Sequence, residues 1–96
     1  MASMLQKAKQ MQEDMKTAQQ EIKLISCQGI AASGAVKVTL SGQYQTTSIE
    51  IDDSLLDDKN LLEDLITTAY NDASAQVKEI SDEKLRSATD GINLPF

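Results

Sequence analysis

Apolar residues recur along the start of the chain at Met1, Met4, Ala8, Met11, Met15, Ala18, Ile22 and Ile25, in alternating steps of three and four. This is an uninterrupted heptad seam, and residues 2–24 contain no Gly or Pro. The pattern predicts one long helix. Gln, Lys, Glu and Ala fill most of the other positions, and all are good helix formers. About 23 residues at 1.5 Å each make a rod of about 35 Å. The seam is soft: four of its eight positions are Met and two are Ala. It suits a helix leaning on a partner helix better than an autonomous coiled coil.

The period then changes from 3.5 to 2. Val36, Val38 and Leu40 alternate with Lys37, Thr39 and Ser41, and Gly42 marks a turn. Ile49 and Ile51 alternate with Ser48 and Glu50. Both runs predict strands with one apolar and one wet face. Ser33-Gly34 ends a weaker strand around Ser26–Ala32, which completes a three-stranded antiparallel meander.

Helical spacing returns with Leu61, Leu62, Leu65, Ile66, Ala69, Tyr70, Ala73, Val77 and Ile80, thinning to Leu85 and Ala88. A helix from about Asp58 to Asp90 is predicted, about 50 Å long if unbroken, with a kink allowed near Ser81-Asp82. Gly91 suits its C-cap and Pro95 lies beyond. Asp52, Asp53, Asp57 and Asp58 crowd its start, where carboxylates satisfy free N–H groups and favour the dipole. An EF-hand reading of the same cluster fails, because Gly is missing at the sixth loop position and Glu at the twelfth. Asn71 and Asp72 are poor choices inside a helix. A hydrogen bond from helix to sheet explains them, and a ligand contact is the alternative.

The fold class is therefore α+β: a long N-terminal helix, a three-stranded antiparallel sheet and a long C-terminal helix, all in one domain spanning 1–96. Seven-residue strands reach only about 23 Å. Helices of about 35 and 50 Å overhang such a sheet, and their overhanging apolar stripes can cover each other as an antiparallel pair. The sheet has open edges, which invite a second sheet. The expectation is a homodimer with a central sheet and projecting helical arms. Met4, Met11, Met15, Ile22, Val36, Val38, Leu40, Ile49 and Ile51 are the candidate dimer and arm-packing residues.

Composition narrows the chemistry. The 96 residues hold one cysteine, Cys27, and no histidine. Paired disulfides, His/Cys metal sites and Ser-His or Cys-His nucleophiles are excluded. Cys27 suits a small buried hydrophobe. Adjacent acids such as Glu63-Asp64 and Asp82-Glu83 diverge by about 100° on a helix and remain solvated. Ser81 and Lys84 match a Ser-x-x-Lys spacing, but on an exposed helix rather than in a cleft. No glycine-rich phosphate loop is present. An enzyme is not expected, nor a cofactor, metal or small-molecule substrate. No apolar run has the length of a signal peptide or a membrane span, so a cytoplasmic protein without a membrane partner is expected.

The net charge of −6 argues against nucleic acid until its distribution is considered. Residues 1–48 carry five Lys against three acids, a net of +2, whereas residues 49–96 carry four basic residues against twelve acids, a net of −8. An anion-binding surface belongs on the first helix. Lys9, Lys16 and Lys23, seven apart, form a stripe beside the apolar seam with about 10 Å between successive ammonium groups. Such a row fits phosphates along a duplex, or else is a solvated face that adds solubility. Lys7, Lys78, Lys84 and Arg86 would lie on the same arms, the last three blunted by Glu79, Asp82 and Glu83.

Taken in order, Lys9-Gln10-Met11-Gln12, Val36-Lys37-Val38-Thr39-Leu40-Ser41-Gly42, Ile49-Glu50-Ile51-Asp52, Leu55-Leu56, Leu62-Glu63-Asp64-Leu65, Ala69-Tyr70-Asn71-Asp72-Ala73 and Gly91-Ile92-Asn93-Leu94-Pro95-Phe96 resemble the YbaB/EbfC nucleoid-associated proteins over nearly the whole chain. The resemblance implies a tweezer-shaped homodimer that binds DNA in the cytoplasm, at the nucleoid, without a cofactor. Nucleoid organisation or gene regulation is the implied role. The chain departs from relatives that have a glycine-rich run before the first helix. Ala75-Gln76 and Thr46-Thr47 also stand where relatives can be basic. Duplex binding is then expected to be weak, salt-sensitive and nearly sequence-blind, through Lys7, Lys9, Lys16, Lys23, Lys78, Lys84 and Arg86. The competing expectation is a protein-interaction module, a chaperone-like adaptor whose Met-rich arms grip a partner helix.

Overall fold

A computed structural model describes residues 2–89. Helix α1 (Ala2–Lys23) leads into β1 (Ser26–Ala31), β2 (Val36–Ser41) and β3 (Thr46–Ile51), and helix α2 (Lys59–Thr89) follows. The strands form one antiparallel sheet in the order β1-β2-β3. The α+β class and all five elements are as the periodicity predicts. Helix α2 runs through Ser81-Asp82 without interruption, so the allowed kink is not used. The expected C-cap at Gly91 and the stop at Pro95 lie outside the described residues.

The core follows from the alternation. Cys27, Gly29 and Ala31 of β1 share a buried face with Val36, Val38 and Leu40 of β2. Onto this face α2 brings Ala69, Ala73 and Val77, all fully buried, with Leu62, Leu65 and Ile66 at the margin. Helix and strand approach so closely that a Cβ on Gly29 would overlap the Ala69 carbonyl and lie 2.5 Å from the Ala73 nitrogen. Burial of Cys27 pushes its thiol pKa up, as expected for a small apolar filler rather than a reactive group.

Local chemistry sets the turns and caps. Between β1 and β2 the chain turns through left-handed Ala32, Ser33 and Gly34. Between β2 and β3 the Ser41 hydroxyl accepts from the amides of Gln43 and Gln45 at 3.2 and 3.3 Å. The aspartate cluster does cap. Asp58 accepts from the Leu61 amide at 3.1 Å at the head of α2. Asp52 accepts from the Ser54 amide at 2.9 Å, a bond that holds its carboxyl below the usual carboxylate range.

The helices overhang the sheet as their lengths require, and the molecule measures 68 × 23 × 16 Å. They pack side by side beyond it, with Ala18 buried between them and the Lys84 ammonium 3.4 Å from Glu21. Where α1 meets the sheet, a Cβ on Gly42 would overlap the Ile22 carbonyl, and the Gly42 amide donates to Ile25 O at 3.0 Å.

Candidate nucleic-acid interface

The basic residues of the two helices lie in different electrostatic surroundings. Lys7, Lys9, Lys16 and Lys23 on α1 are all exposed, and among the described residues none of them forms an ion pair. Ala18 and Glu21 mark the face of α1 turned to α2. At about 100° per residue, Lys9 and Lys16 lie roughly half a turn from Ala18, and Lys23 roughly half a turn from Glu21. The stripe thus occupies the far face of α1 rather than a position beside the contact line. The difference arises because only part of the seam, around Ala18, is buried against α2.

On α2 the bases sit among acids. Lys78 lies 3.6 Å from Asp82, and Lys84 is held by Glu21. Arg86 shares a shallow cleft with Lys78, Glu79 and Asp82. Among the described residues, Lys9, Lys16 and Lys23 therefore form a row without ion pairs on the outward face of α1, shared with the exposed Glu13. Lys7, nearly half a turn from Lys9, lies on the side of Met4, Ala8 and Met11, and the outward face of α2 is of mixed charge.

The packing candidates divide as well. Val36, Val38 and Leu40 are completely used inside the chain, under α2. They have no surface left for a partner. Met11, Met15 and Ile22 are half-buried along α1, whereas Met4 is 73% exposed. Ile51 and Ile49 stand opposite Val36 and Val38, hence on the same face of the sheet. Helix α2 covers β1 and β2 but not β3, which leaves Ile49 50% exposed.

The two sheet edges also differ. At the outer edge of β1 the Ile30 amide donates to Asp72 Oδ2 at 3.0 Å, and the Gln28 carbonyl accepts from Gln76 Nε2 at 3.0 Å. Gln76 also donates to Asp72 Oδ1 at 3.3 Å. The awkward Asp72 thus makes the helix-to-sheet bond its position predicts. Nothing in the apolar pattern singles out Gln76, although its spacing of four from Asp72 places both on one face. Among the described residues nothing closes the outer edge of β3. Ile66 and Tyr70 lie on the flank of α2 away from Asp72, the side turned to β3. Tyr70 is 38% exposed.

The sequence profile of the YbaB/EbfC DNA-binding family matches residues 1–92. The chain belongs to the YbaB/EbfC family. It is 44% identical over 95 residues to proteins of Polynucleobacter asymbioticus and Polynucleobacter necessarius, each named a nucleoid-associated protein, covering 99% of this chain and 89% of theirs. The fold is similar to the crystal structure of an uncharacterized Helicobacter pylori protein, with a TM-score of 0.73, 23% identity and coverage of 86% of this chain and 89% of that one. Gln76 is engaged at the β1 edge, and Thr46 and Thr47 lie exposed on β3. No helix among the described residues is long and apolar enough to cross a membrane.

Proposed function

We propose that this YbaB/EbfC protein acts as a homodimer that binds duplex DNA at the nucleoid, through the outer face of α1. One observation carries the reading: Lys9, Lys16 and Lys23 are exposed in a row on that face, with Lys7 exposed on the other side of the same arm, and among the described residues no carboxylate is paired with any of the four. Lysine ammonium groups in a row neutralise backbone phosphates and release counterions, which gives binding without base readout. Lys78, Lys84 and Arg86 assist weakly at most, because their neighbours are acids. Two copies joined through the β3 edges and the Ile49 faces would carry about six to eight such lysines.

Retention on a mixed-sequence duplex, titrated with salt, tests this. Binding is expected to fall about a thousandfold between roughly 50 and 200 mM salt. The triple variant Lys9→Glu/Lys16→Glu/Lys23→Glu is expected to abolish it. Retention of that variant at the wild-type level rejects the reading. The second reading, in which the arms grip a partner helix, is favoured by the exposure of Met4. It expects partner binding that ignores salt and is lost in Met11→Asp.

A further inference from the structure

At the foot of the arm, the last turn of α1 meets the turn between β2 and β3. The Gly42 amide donates to Ile25 O at 3.0 Å, and a Cβ on Gly42 would overlap the Ile22 carbonyl. Lys23, the lower end of the lysine row, belongs to that same stretch of helix. Two exposed apolar side chains flank the junction. Leu24 follows Lys23 directly and is 84% exposed, and no large apolar residue among the described ones is more exposed. Tyr44 stands two residues, hence at most about 7 Å, from Gly42 and is 44% exposed.

Tyr44 is held there at a cost. Its φ of +61° is a left-handed conformation that bulky residues rarely adopt and that glycine takes without strain. The turn is nonetheless firmly tied. The Tyr44 amide donates to Ser41 O at 3.0 Å, the Ser41 amide donates to Gln45 O at 2.8 Å, and the Ser41 hydroxyl accepts from the amides on both sides of Tyr44. The ring belongs neither to the core nor to the residues packed at its margin. A strained aromatic that does not serve the core points to a contact outside the chain. Charge decides its kind. From Ile22 to Ile49 the sequence has Lys23 and Lys37 and no acid, in a chain of net charge −6. Glu21, the acid just before that run, is held by Lys84.

We propose that Tyr44 and Leu24 form the apolar part of the duplex interface. They pack against sugar and base edges where a duplex laid along Lys9, Lys16 and Lys23 passes the foot of the arm. This rests on the duplex reading above and adds to it a contact that is not electrostatic. Aromatic and apolar side chains complement lysines in this way because every base has an apolar surface, so the contact tolerates any sequence. Tyrosine suits the position, with an apolar ring for the duplex and a polar tip for water when DNA is absent.

The test uses the full chain and a mixed-sequence duplex. Tyr44→Gly removes the ring and suits the backbone. It is expected to weaken duplex binding about five- to tenfold at fixed salt. The slope of log affinity against log salt is expected to stay unchanged, because an apolar contact releases no counterions. Lys23→Ala, by contrast, is expected to lower that slope by about 1. Tyr44→Phe is expected to bind as the wild type does, and Leu24→Ser to show a smaller loss than Tyr44→Gly at the same slope. The chain has no tryptophan, so Tyr44→Trp carries a single indole, whose emission is expected to be quenched by saturating duplex. Wild-type affinity in Tyr44→Gly, or an indole indifferent to duplex, would overturn the assignment. A lowered salt slope in Tyr44→Gly would also overturn it, by making Tyr44 only a support for Lys23. Sedimentation of Tyr44→Gly as a monomer beside a dimeric wild type would give the patch to a second copy instead. Failure of the wild type itself to bind duplex rejects the lysine-row reading and this contact together. Wild-type binding with an unaffected Tyr44→Gly rejects the contact alone.

Discussion

Gly29 shows how one missing side chain positions a whole helix. Ala69 and Ala73 bring the backbone of α2 against β1, and the space where a Cβ would stand is occupied by the Ala69 carbonyl. Backbone cannot move aside as the end of a flexible side chain can. Gly29→Ala is therefore expected to lower stability by about 3 kcal/mol or more, through the lost approach and the loosened Val77–Leu40 layer. Gly34→Ala, at φ +98° with only the flexible Lys37 side chain nearby, its Cε 3.5 Å from the new Cβ, is expected to cost only about 1 kcal/mol, from backbone strain. Urea unfolding midpoints of the two variants measure the contrast, and equal losses would refute the close-approach account. The role of Gly29 was not legible in the chain, because a residue without a side chain leaves no mark in an apolar period. Asp72 was legible for the opposite reason, being a residue its own helix disfavours.

At the scale of elements, α2 does two jobs at once: it covers one face of the sheet and closes the outer edge of β1. Asp72 and Gln76 supply an acceptor for the Ile30 amide and a donor for the Gln28 carbonyl, groups that a further strand would otherwise satisfy. Asp72→Ala is expected to cost about 1–2 kcal/mol and to speed hydrogen exchange at the Ile30 amide. Asp72→Asn keeps an acceptor and is expected to retain most of the protection. An unchanged Ile30 exchange rate in the alanine variant would show that the bond does not hold the edge. The helices and strands themselves were readable from period alone, since 3.5 and 2 are hard to confuse over such lengths. Which strands α2 covers was not readable. The pattern marks Val36, Val38, Ile49 and Ile51 alike as inward, and only the packed helix separates the two on β2 from the two on β3.

At the scale of the molecule, that separation decides what a second copy can use. Val36, Val38 and Leu40 are already buried in one chain, and Asp72 and Gln76 close the β1 edge. The β3 edge and the half-covered Ile49 face remain, beside Ile66 and Tyr70. Antiparallel pairing of two β3 strands would satisfy open backbone groups and bring Ile49 of each copy under the flank of the other's α2. Stable association needs about 800 Å² from each partner, more than one edge strand supplies, so the Ile49 face has to contribute. For the proposed homodimer, Ile49→Asp is accordingly expected to sediment as a monomer at equilibrium, whereas Ile49→Val is expected to sediment as a dimer. The fold of the single chain should survive in both, because at 50% exposure Ile49 contributes little to the internal core. Duplex retention is expected to fall with dimerisation in Ile49→Asp even though every lysine of α1 is intact, since halving the number of phosphate contacts lowers both affinity and its salt slope. A monomeric Ile49→Asp variant that still held duplex DNA as tightly as the wild type would place the whole interface on one arm.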